Sequence, residues 1–222
     1  MKNQTIISEN TKKLTGVAVF SALAFGVSLI TNIPVGFLTF DAKDAIITIA
    51  SFIYGPISAV FMSFITALLE MVTVGNTGPY GALMDFISTL SFTLTASVIY
   101  HYNRKMSGAI ISLSVASLVY VAIMMPANLL ITPLYMGVKV ADVKALIPTM
   151  LLPFNIAKAL MNSALVMLIY KHISKLVRRV GFAEPSKGTV SSFSKRDTII
   201  TISCASAAFV VAVIIFIILK NK

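Results

Sequence analysis

Ionisable and amide side chains inside long apolar stretches are the residues of this chain best suited to chemistry. Glu70, Asp85, Asn128, Asn155 and Lys158 each lie within or at the end of such a stretch. A charged group inside hydrocarbon is costly and usually functional, so these positions predict a site rather than a solvated surface. All five are expected in the outer half of a membrane.

The segment that holds Lys158 concentrates these groups on one side. Asn155, Lys158 and Asn162 follow the spacing i, i+3, i+7 and therefore share one helix face. With Glu70 and Asp85 to balance the lysine, they predict a polar pocket open to the outside. The bland alternatives are that Lys158 snorkels to the headgroups and that the asparagines only bridge helices.

Aromatic residues close to this pocket favour a flat ligand. Phe40, Tyr80, Tyr135 and Phe154 lie near the expected outer ends of the segments, although an interfacial aromatic belt would place them there too. Planar amides beside aromatic walls suit a hydrogen-bonding heterocycle better than an ion or a sugar. Asp41 or Asp44 is placed to cap the helix that follows the first outer loop.

The composition says which elements must position these residues. The chain has 222 residues, of which 57% are hydrophobic and only 12% charged, and its mean hydropathy is +0.91. A soluble domain is nearer one quarter charged, so the sequence predicts an all-α polytopic membrane protein. The net charge of +10 is expected in cytoplasmic loops that touch the lipid bilayer, and no nucleic acid is expected as a partner.

Seven apolar segments organise the chain. They run roughly over 14–33, 45–54, 57–74, 81–100, 108–130, 151–173 and 198–219. The second and third could form one kinked span or a helical hairpin that turns at Gly55-Pro56. A hairpin with a cytoplasmic N-terminus puts 12 of the 18 Lys and Arg residues inside, as the positive-inside rule prefers.

This topology predicts four regions. Residues 1–13 form a cytoplasmic N-terminus and 14–179 a six-helix membrane domain that holds the polar pocket. Residues 180–197 are a polar cytoplasmic linker, and 198–219 form an additional transmembrane helix. The small residues Ala18, Ala22 and Gly26 make a flat strip on the first helix, suited either to a partner or to packing within the bundle.

Enzyme chemistry has little support. The chain lacks a phosphate-cradling Gly-x-x-x-x-Gly-Lys-Ser/Thr run and a Gly-x-Ser-x-Gly elbow, so no catalytic residue, metal or cofactor is expected. A membrane enzyme built on Glu70 and Asp85 is disfavoured, because no nucleophile joins them. A secondary transporter with Glu70, Asp85 and Lys158 as proton-linked groups remains an alternative.

Four motifs then point to a family. They are Asp41-Ala-Lys-Asp44, Phe52-Ile-Tyr-Gly-Pro56, Asn128-Leu-Leu-Ile-Thr-Pro-Leu-Tyr135 and Pro153-Phe-Asn-Ile-Ala-Lys158-Ala-Leu-Met-Asn162. With them, the stretch 14–179 resembles the riboflavin-specific substrate-binding (S) components of bacterial energy-coupling factor (ECF) vitamin transporters. The resemblance implies a multi-pass protein of the cell membrane. It would capture riboflavin from outside as transported ligand, for ATP-driven uptake by a separate module.

That resemblance also assigns roles. It implies that Asn128, Asn155 and Lys158 contact the flavin. It also implies that Leu38, Thr39 and Phe40 lie in a loop that closes over the ring. Ala18 and Ala22 would contact a transmembrane scaffold protein, which works with two ABC-type ATPases. Three features depart from the family: Leu129 where an aromatic is common, Asp85 where Asn is frequent, and the seventh span. The same architecture with FMN or another vitamin therefore remains an alternative.

Overall fold

The computed structural model describes residues 2–75, 77–179 and 195–220. Its elements in chain order are α1 (Lys2–Thr31), β1 (Ile33–Val35), β2 (Leu38–Phe40), α2 (Lys43–Tyr54), α3 (Pro56–Thr73), α4 (Gly78–Tyr102), α5 (Met106–Met136), α6 (Val140–Leu146), a π-helical turn (Ile147–Leu151), α7 (Leu152–Arg179) and α8 (Lys195–Lys220). Six of the described helical stretches are long and apolar enough to cross a membrane. The predicted helical membrane architecture is confirmed.

The chain reverses direction between α2 and α3. Gly55 has φ +98°, a conformation that favours glycine, and Pro56 begins α3 at a position where its missing N–H costs nothing. Lys43 at the start of α2 contacts Glu70 near the end of α3. In a single straight helix these residues would be about 40 Å apart, at about 1.5 Å per residue. The contact therefore requires the predicted hairpin.

Helix α2 is the centre of the bundle. It has only 12 residues, or roughly 18 Å, which is too short to cross a hydrocarbon core of about 30 Å. Ile49 and Phe52 pack into one apolar cluster with α4, α5 and α7, while Ile46 and Ile47 pack into another with α1 and α3. Because helices surround it, the first turn of α2 is held firmly at one end of the bundle.

A short β-hairpin precedes α2, at a place where the sequence predicted only a loop. Strands β1 and β2 are antiparallel, with Ile33 opposite Phe40 and Val35 opposite Leu38. Gly36 at the first turn position has φ +61°, as the tight type II′ turn requires. The Ala42 amide donates to Thr31 Oγ1 over 3.1 Å, which ties the end of the hairpin to α1. We call this side of the molecule the hairpin end.

The predicted domain boundaries are only partly covered by these elements. Helix α1 begins at Lys2, so helical conformation extends through the residues predicted as the N-terminal region. The additional helix is present as α8. The predicted linker over 180–197 falls mainly on residues outside the described ranges, and its boundaries stay a prediction.

Candidate ligand-binding site

A cavity of about 720 Å³ opens at the hairpin end. That volume lies within the range of small-molecule sites. The hairpin, α3, α4, α5 and α7 all contribute to its wall, which includes Pro34, Phe37, Leu38, Thr39, Asp41, Ala67, Glu70, Met71, Met84, Asp85, Ser88, Tyr120, Met124, Tyr135, Phe154, Asn155 and Lys158. Elements far apart in sequence therefore meet around one space.

Most of the residues proposed from sequence are brought together here. Those that line the cavity are Leu38, Thr39, Glu70, Asp85, Asn155 and Lys158. Phe40, Asn128 and Asn162 are buried and do not form part of the lining. Tyr80 is half-exposed and also lies outside the lining, whereas Tyr135 and Phe154 belong to it.

The main positive charge beside the two carboxylates is Lys43. Its side chain is wholly buried, and its Nζ lies 2.5 Å from Glu70 Oε2 and 2.5 Å from Asp85 Oδ1. The expectation that Glu70 and Asp85 directly balance Lys158 is therefore wrong. Lys43 belongs to the Asp41-Ala-Lys-Asp44 motif, but its position between two acidic residues at a helix start resembles an ordinary polar loop. Its place at the edge of a long uncharged stretch is the signal that could have revealed it.

Lys158 has carboxylate partners of its own. Its Nζ lies 2.9 Å from Asp41 Oδ2 and 3.9 Å from Asp44 Oδ2. Since Lys158 is only 4% exposed, it does not snorkel to the surface. Thr89 donates to Asp44 Oδ1 over 2.8 Å. The two lysines thus join α2, α3, α4 and α7 through charge pairs at a single level of the bundle.

Asp41 interacts with both lysines. Burial acts to raise the pKa of its carboxyl, but the ammonium groups of Lys158 and Lys43 outweigh burial and hold the pKa below its usual range. Its Oδ1 also accepts from the Lys43 amide over 3.2 Å, so Asp41 satisfies a first-turn N–H of α2 although Ala42 is the capping residue. Asp41 therefore stays ionised beside the cavity.

Two carboxylate oxygens at the cavity have hydrogen-bonding capacity left. Glu70 Oε1 and Asp85 Oδ2 are buried and accept no hydrogen bond of good geometry among the described residues, although the Ser28 hydroxyl lies close to the Glu70 carboxylate. The other oxygen of each carboxylate is held by Lys43. Since a buried acceptor without a donor is unfavourable, these atoms suit a ligand that brings O–H or N–H groups.

The three asparagines have different positions. Asn155 lines the cavity, and the one hydrogen bond from its Nδ2, 2.7 Å to Leu151 O, uses only part of its donor capacity. Asn128 bonds within α5, to Met124 O and from Thr132.

Asn162 joins two elements instead. Its Oδ1 accepts from the Ala45 amide over 3.2 Å, which fixes the first turn of α2 against α7. Of these three asparagines, only Asn155 lines the cavity, whereas Asn128 and Asn162 support the wall.

The small-residue strip on α1 lies on the outside of the bundle. Ala18 and Ala22 are exposed, and a Cβ added at Gly26 would meet no atom within 4 Å among the described residues. Phe20 and Ala24, on the other side of α1, are buried in the bundle. The strip is therefore free to contact lipid or another protein.

Comparisons with known proteins agree with this architecture. Residues 12–170 match the profile of the family described as "ECF transporter, substrate-specific component". The riboflavin transporter RibU of Staphylococcus aureus (strain TCH60) is 29% identical over 183 residues, covering 78% of this chain and 95% of that protein. The riboflavin transporter FmnP of Bacillus subtilis (strain 168) is 26% identical over 172 residues, covering 72% and 90%.

A solved structure extends the likeness to three dimensions. The S component of a bacterial ECF transporter superposes with a TM-score of 0.65 at 28% identity, covering 77% of this chain and 99% of that one. The family match covers the hairpin and every helix that lines the cavity, and it ends before α8. The chain belongs to the family of substrate-specific components of ECF transporters, which are membrane transport proteins.

Proposed function

We propose that this chain captures riboflavin from the outside of a bacterial cell membrane and presents it for uptake. The observation that carries the proposal is the cavity at the hairpin end, where Asn155 and Lys158 lie beside the aromatic side chains of Tyr135 and Phe154. Two relatives named riboflavin transporters support the choice of ligand.

The ring system of riboflavin matches one side of the cavity. Its pyrimidine edge has carbonyl acceptors and an N–H donor, and the Asn155 amide and the Lys158 ammonium can meet these groups. Phe154 and Tyr135 offer flat apolar surfaces for the tricyclic face. Leu38 and Thr39 on the hairpin cover the ligand, with Phe40 behind them; Asn128 and Asn162 hold the wall.

The hydroxyl-bearing side chain of riboflavin matches the other side. Glu70 Oε1 and Asp85 Oδ2 can accept from its O–H groups, which would satisfy both buried oxygens. A phosphate in the same place would be repelled by the two carboxylates, so the arrangement favours riboflavin over its phosphate ester FMN. Discrimination against other vitamins would rest on the ring side of the cavity.

The energy for uptake would come from other proteins. We place the chain in a complex with a transmembrane scaffold protein and two ABC-type ATPases. The chain would contact the scaffold protein through the strip of Ala18, Ala22 and Gly26. The exposure of Ala18 and Ala22 supports that role. The proposed orientation has the N-terminus in the cytoplasm and the cavity facing outward.

Riboflavin titration of the purified chain tests the proposal. Flavin fluorescence should be quenched at one equivalent, with FMN competing weakly. Asn155→Ala and Lys158→Ala should each weaken binding by about 1–3 kcal/mol, because each removes a hydrogen-bonding partner of the ring. Lys144→Ala is the matched control, since Lys144 is an exposed lysine outside the cavity lining.

Unchanged affinity in both variants would contradict the site, and a wild-type chain that ignores riboflavin would contradict the ligand. Lys158→Ala also leaves Asp41 without its closest cation, so a thermal melt must accompany its titration. Asn155→Ala avoids this complication, because the Asn155 side chain bonds only locally, to Leu151 O in the preceding π-helical turn, and pairs with no charged group. Uphill, protonophore-sensitive uptake by the chain alone in vesicles would instead establish the secondary transporter.

A further inference from the structure

Helix α8 is an addition to the family fold. The family match ends at residue 170, and α8 covers Lys195–Lys220. The portion Ile202–Leu219 has a mean hydropathy of 2.9 and most of its side chains are exposed on the bundle surface, as expected for a helix that faces lipid. One face nevertheless packs against the rest of the molecule.

The packed face of α8 changes character along its length. Ala205, Ala208 and Ala212 lie on it at spacings of three and four, and small side chains of this kind let helices approach closely. Phe216 and Leu219 continue the same face, one turn apart, as large side chains. They lie at the hairpin end, where α7 begins.

Phe216 and Leu219 pack against the hairpin itself. Both belong to an apolar cluster with Val35, Phe40 and Phe154. The rings of Phe216 and Phe40 are 6.2 Å apart at 67°, which is the edge-to-face arrangement. Since Phe40 is the last residue of β2, this contact bears directly on the strand that carries Leu38 and Thr39.

The contact between Phe216 and Phe40 links α8 to the wall of the cavity, although α8 does not itself line the cavity. Leu38, Thr39 and Phe154 line the cavity, whereas no residue of α8 does so among those described. The hairpin has only three residues in each strand, and an isolated two-stranded hairpin is marginally stable. Its position over the cavity therefore depends on packing at Val35 and Phe40, in addition to the hydrogen bond between Ala42 and Thr31.

We propose that α8 braces the hairpin, and that Phe216 is a positioning residue that acts through Phe40 to slow ligand release. The proposal rests on the proposed function for the identity of the ligand. The brace holds the hairpin over the cavity whether or not ligand is bound. Its loss leaves the cavity residues in place and raises the rate at which the hairpin opens.

Ligand release measured by stopped flow tests the brace. In Phe216→Ala, riboflavin fluorescence should recover about 2- to 10-fold faster than in the wild type, the range expected for one aromatic pair. Phe216→Leu keeps apolar contact and should restore much of the slow release. Phe209→Ala is the matched control, since Phe209 is an exposed phenylalanine of the same helix.

Hydrogen exchange on the ligand-free protein gives a second readout. Amides of residues 33–40 should exchange faster in Phe216→Ala, while those of α2 stay unchanged. Unchanged release and unchanged exchange would overturn the brace, and so would faster exchange spread over the whole bundle, which indicates general destabilisation. If the wild type does not bind riboflavin, the proposed function fails, and exchange at the hairpin still decides whether α8 braces it.

Discussion

Lys43 is a buried cation held between two carboxylates, and its removal should be costly. Glu70 and Asp85 are mostly buried, with about one fifth of each side chain exposed. Hydration therefore cannot stabilise their negative charges as the ammonium group of Lys43 does. Removing one partner of a buried ion pair leaves an uncompensated charge. The resulting loss of stability is larger than the net stabilisation that the intact pair provides. The stability of the hairpin end should therefore depend on Lys43 more than on any surface lysine.

Lys43→Met should lower the free energy of unfolding by about 3–5 kcal/mol, because it leaves Glu70 and Asp85 facing each other without a cation. Thermal unfolding of the purified protein in detergent measures the loss. Lys105→Met is the control, since Lys105 is exposed.

A variant that also carries Glu70→Gln and Asp85→Asn should recover much of the stability, since the two groups that lost their cation are then neutral. If this triple variant melts no higher than Lys43→Met alone, charge compensation is not what Lys43 provides. Riboflavin binding should be weaker in the triple variant than in the wild type, because the two acceptors for the ligand's hydroxyl groups are altered.

The sequence was enough to select single residues that line the cavity, but not to say which of them pair with each other. Glu70, Asp85, Asn155 and Lys158 are visible because each interrupts an apolar stretch, and all four line the cavity. The spacing of residues along a helix gives their position along the helix axis and the face they share. It does not show which neighbouring helix packs against that face. For this reason the pairing of Lys158 with Asp41, across 117 residues of sequence, could not be foreseen.

At the scale of elements, long helices were predictable and short elements were not. The turn at Gly55-Pro56 has a local cause in the two residue types and was expected. The strands of the hairpin have three residues each, too few for an alternating pattern to be recognised. Their pairing depends on the turn at Gly36 and on packing of Phe40 against residues far away in sequence.

Helix α1 offers a test of partner binding that leaves the cavity untouched. Replacing Ala18 and Ala22 together with Trp should reduce ATP-driven riboflavin uptake by at least about tenfold, because bulky side chains prevent close helix approach at the strip. Binding by the isolated chain should not change, since neither residue lines the cavity. Uptake in proteoliposomes with the coupling proteins and titration of the chain alone are the two measurements.

The matched control for α1 is a double Trp variant at Ile111 and Leu118. Both are exposed on α5, seven residues apart, so they add the same bulk to a different surface of the bundle. Uptake should survive in this variant. Equal loss of uptake in both double variants would mean that α1 has no special role, and loss of binding in the α1 variant would mean that the strip supports the fold instead.

For the whole molecule, charge and hydropathy together predict an order of membrane crossings, and its orientation stays a prediction. The decisive feature was the short segment Ala45 to Tyr54, because its assignment reverses the side of every later loop. The ion pair of Lys43 with Glu70 supports the helical hairpin of α2 and α3, and this evidence does not depend on how Lys and Arg are distributed between the two sides of the membrane. Packing of Phe216 against Phe40 also requires the last turns of α8 to lie at the hairpin end, antiparallel to α7.

The side of the membrane on which that end lies can be measured by cysteine labelling. Cys204 is the single cysteine, so Cys204→Ser gives a background without thiols. Lys139 and Lys105 are exposed and lie at opposite ends of α5. In intact cells a membrane-impermeant maleimide should modify Lys139→Cys, whereas Lys105→Cys should react only after the membrane is opened. Two-thirds of the basic residues would then be cytoplasmic, in keeping with the positive-inside rule. The reverse labelling pattern would put the cavity in the cytoplasm and exclude capture of riboflavin from outside.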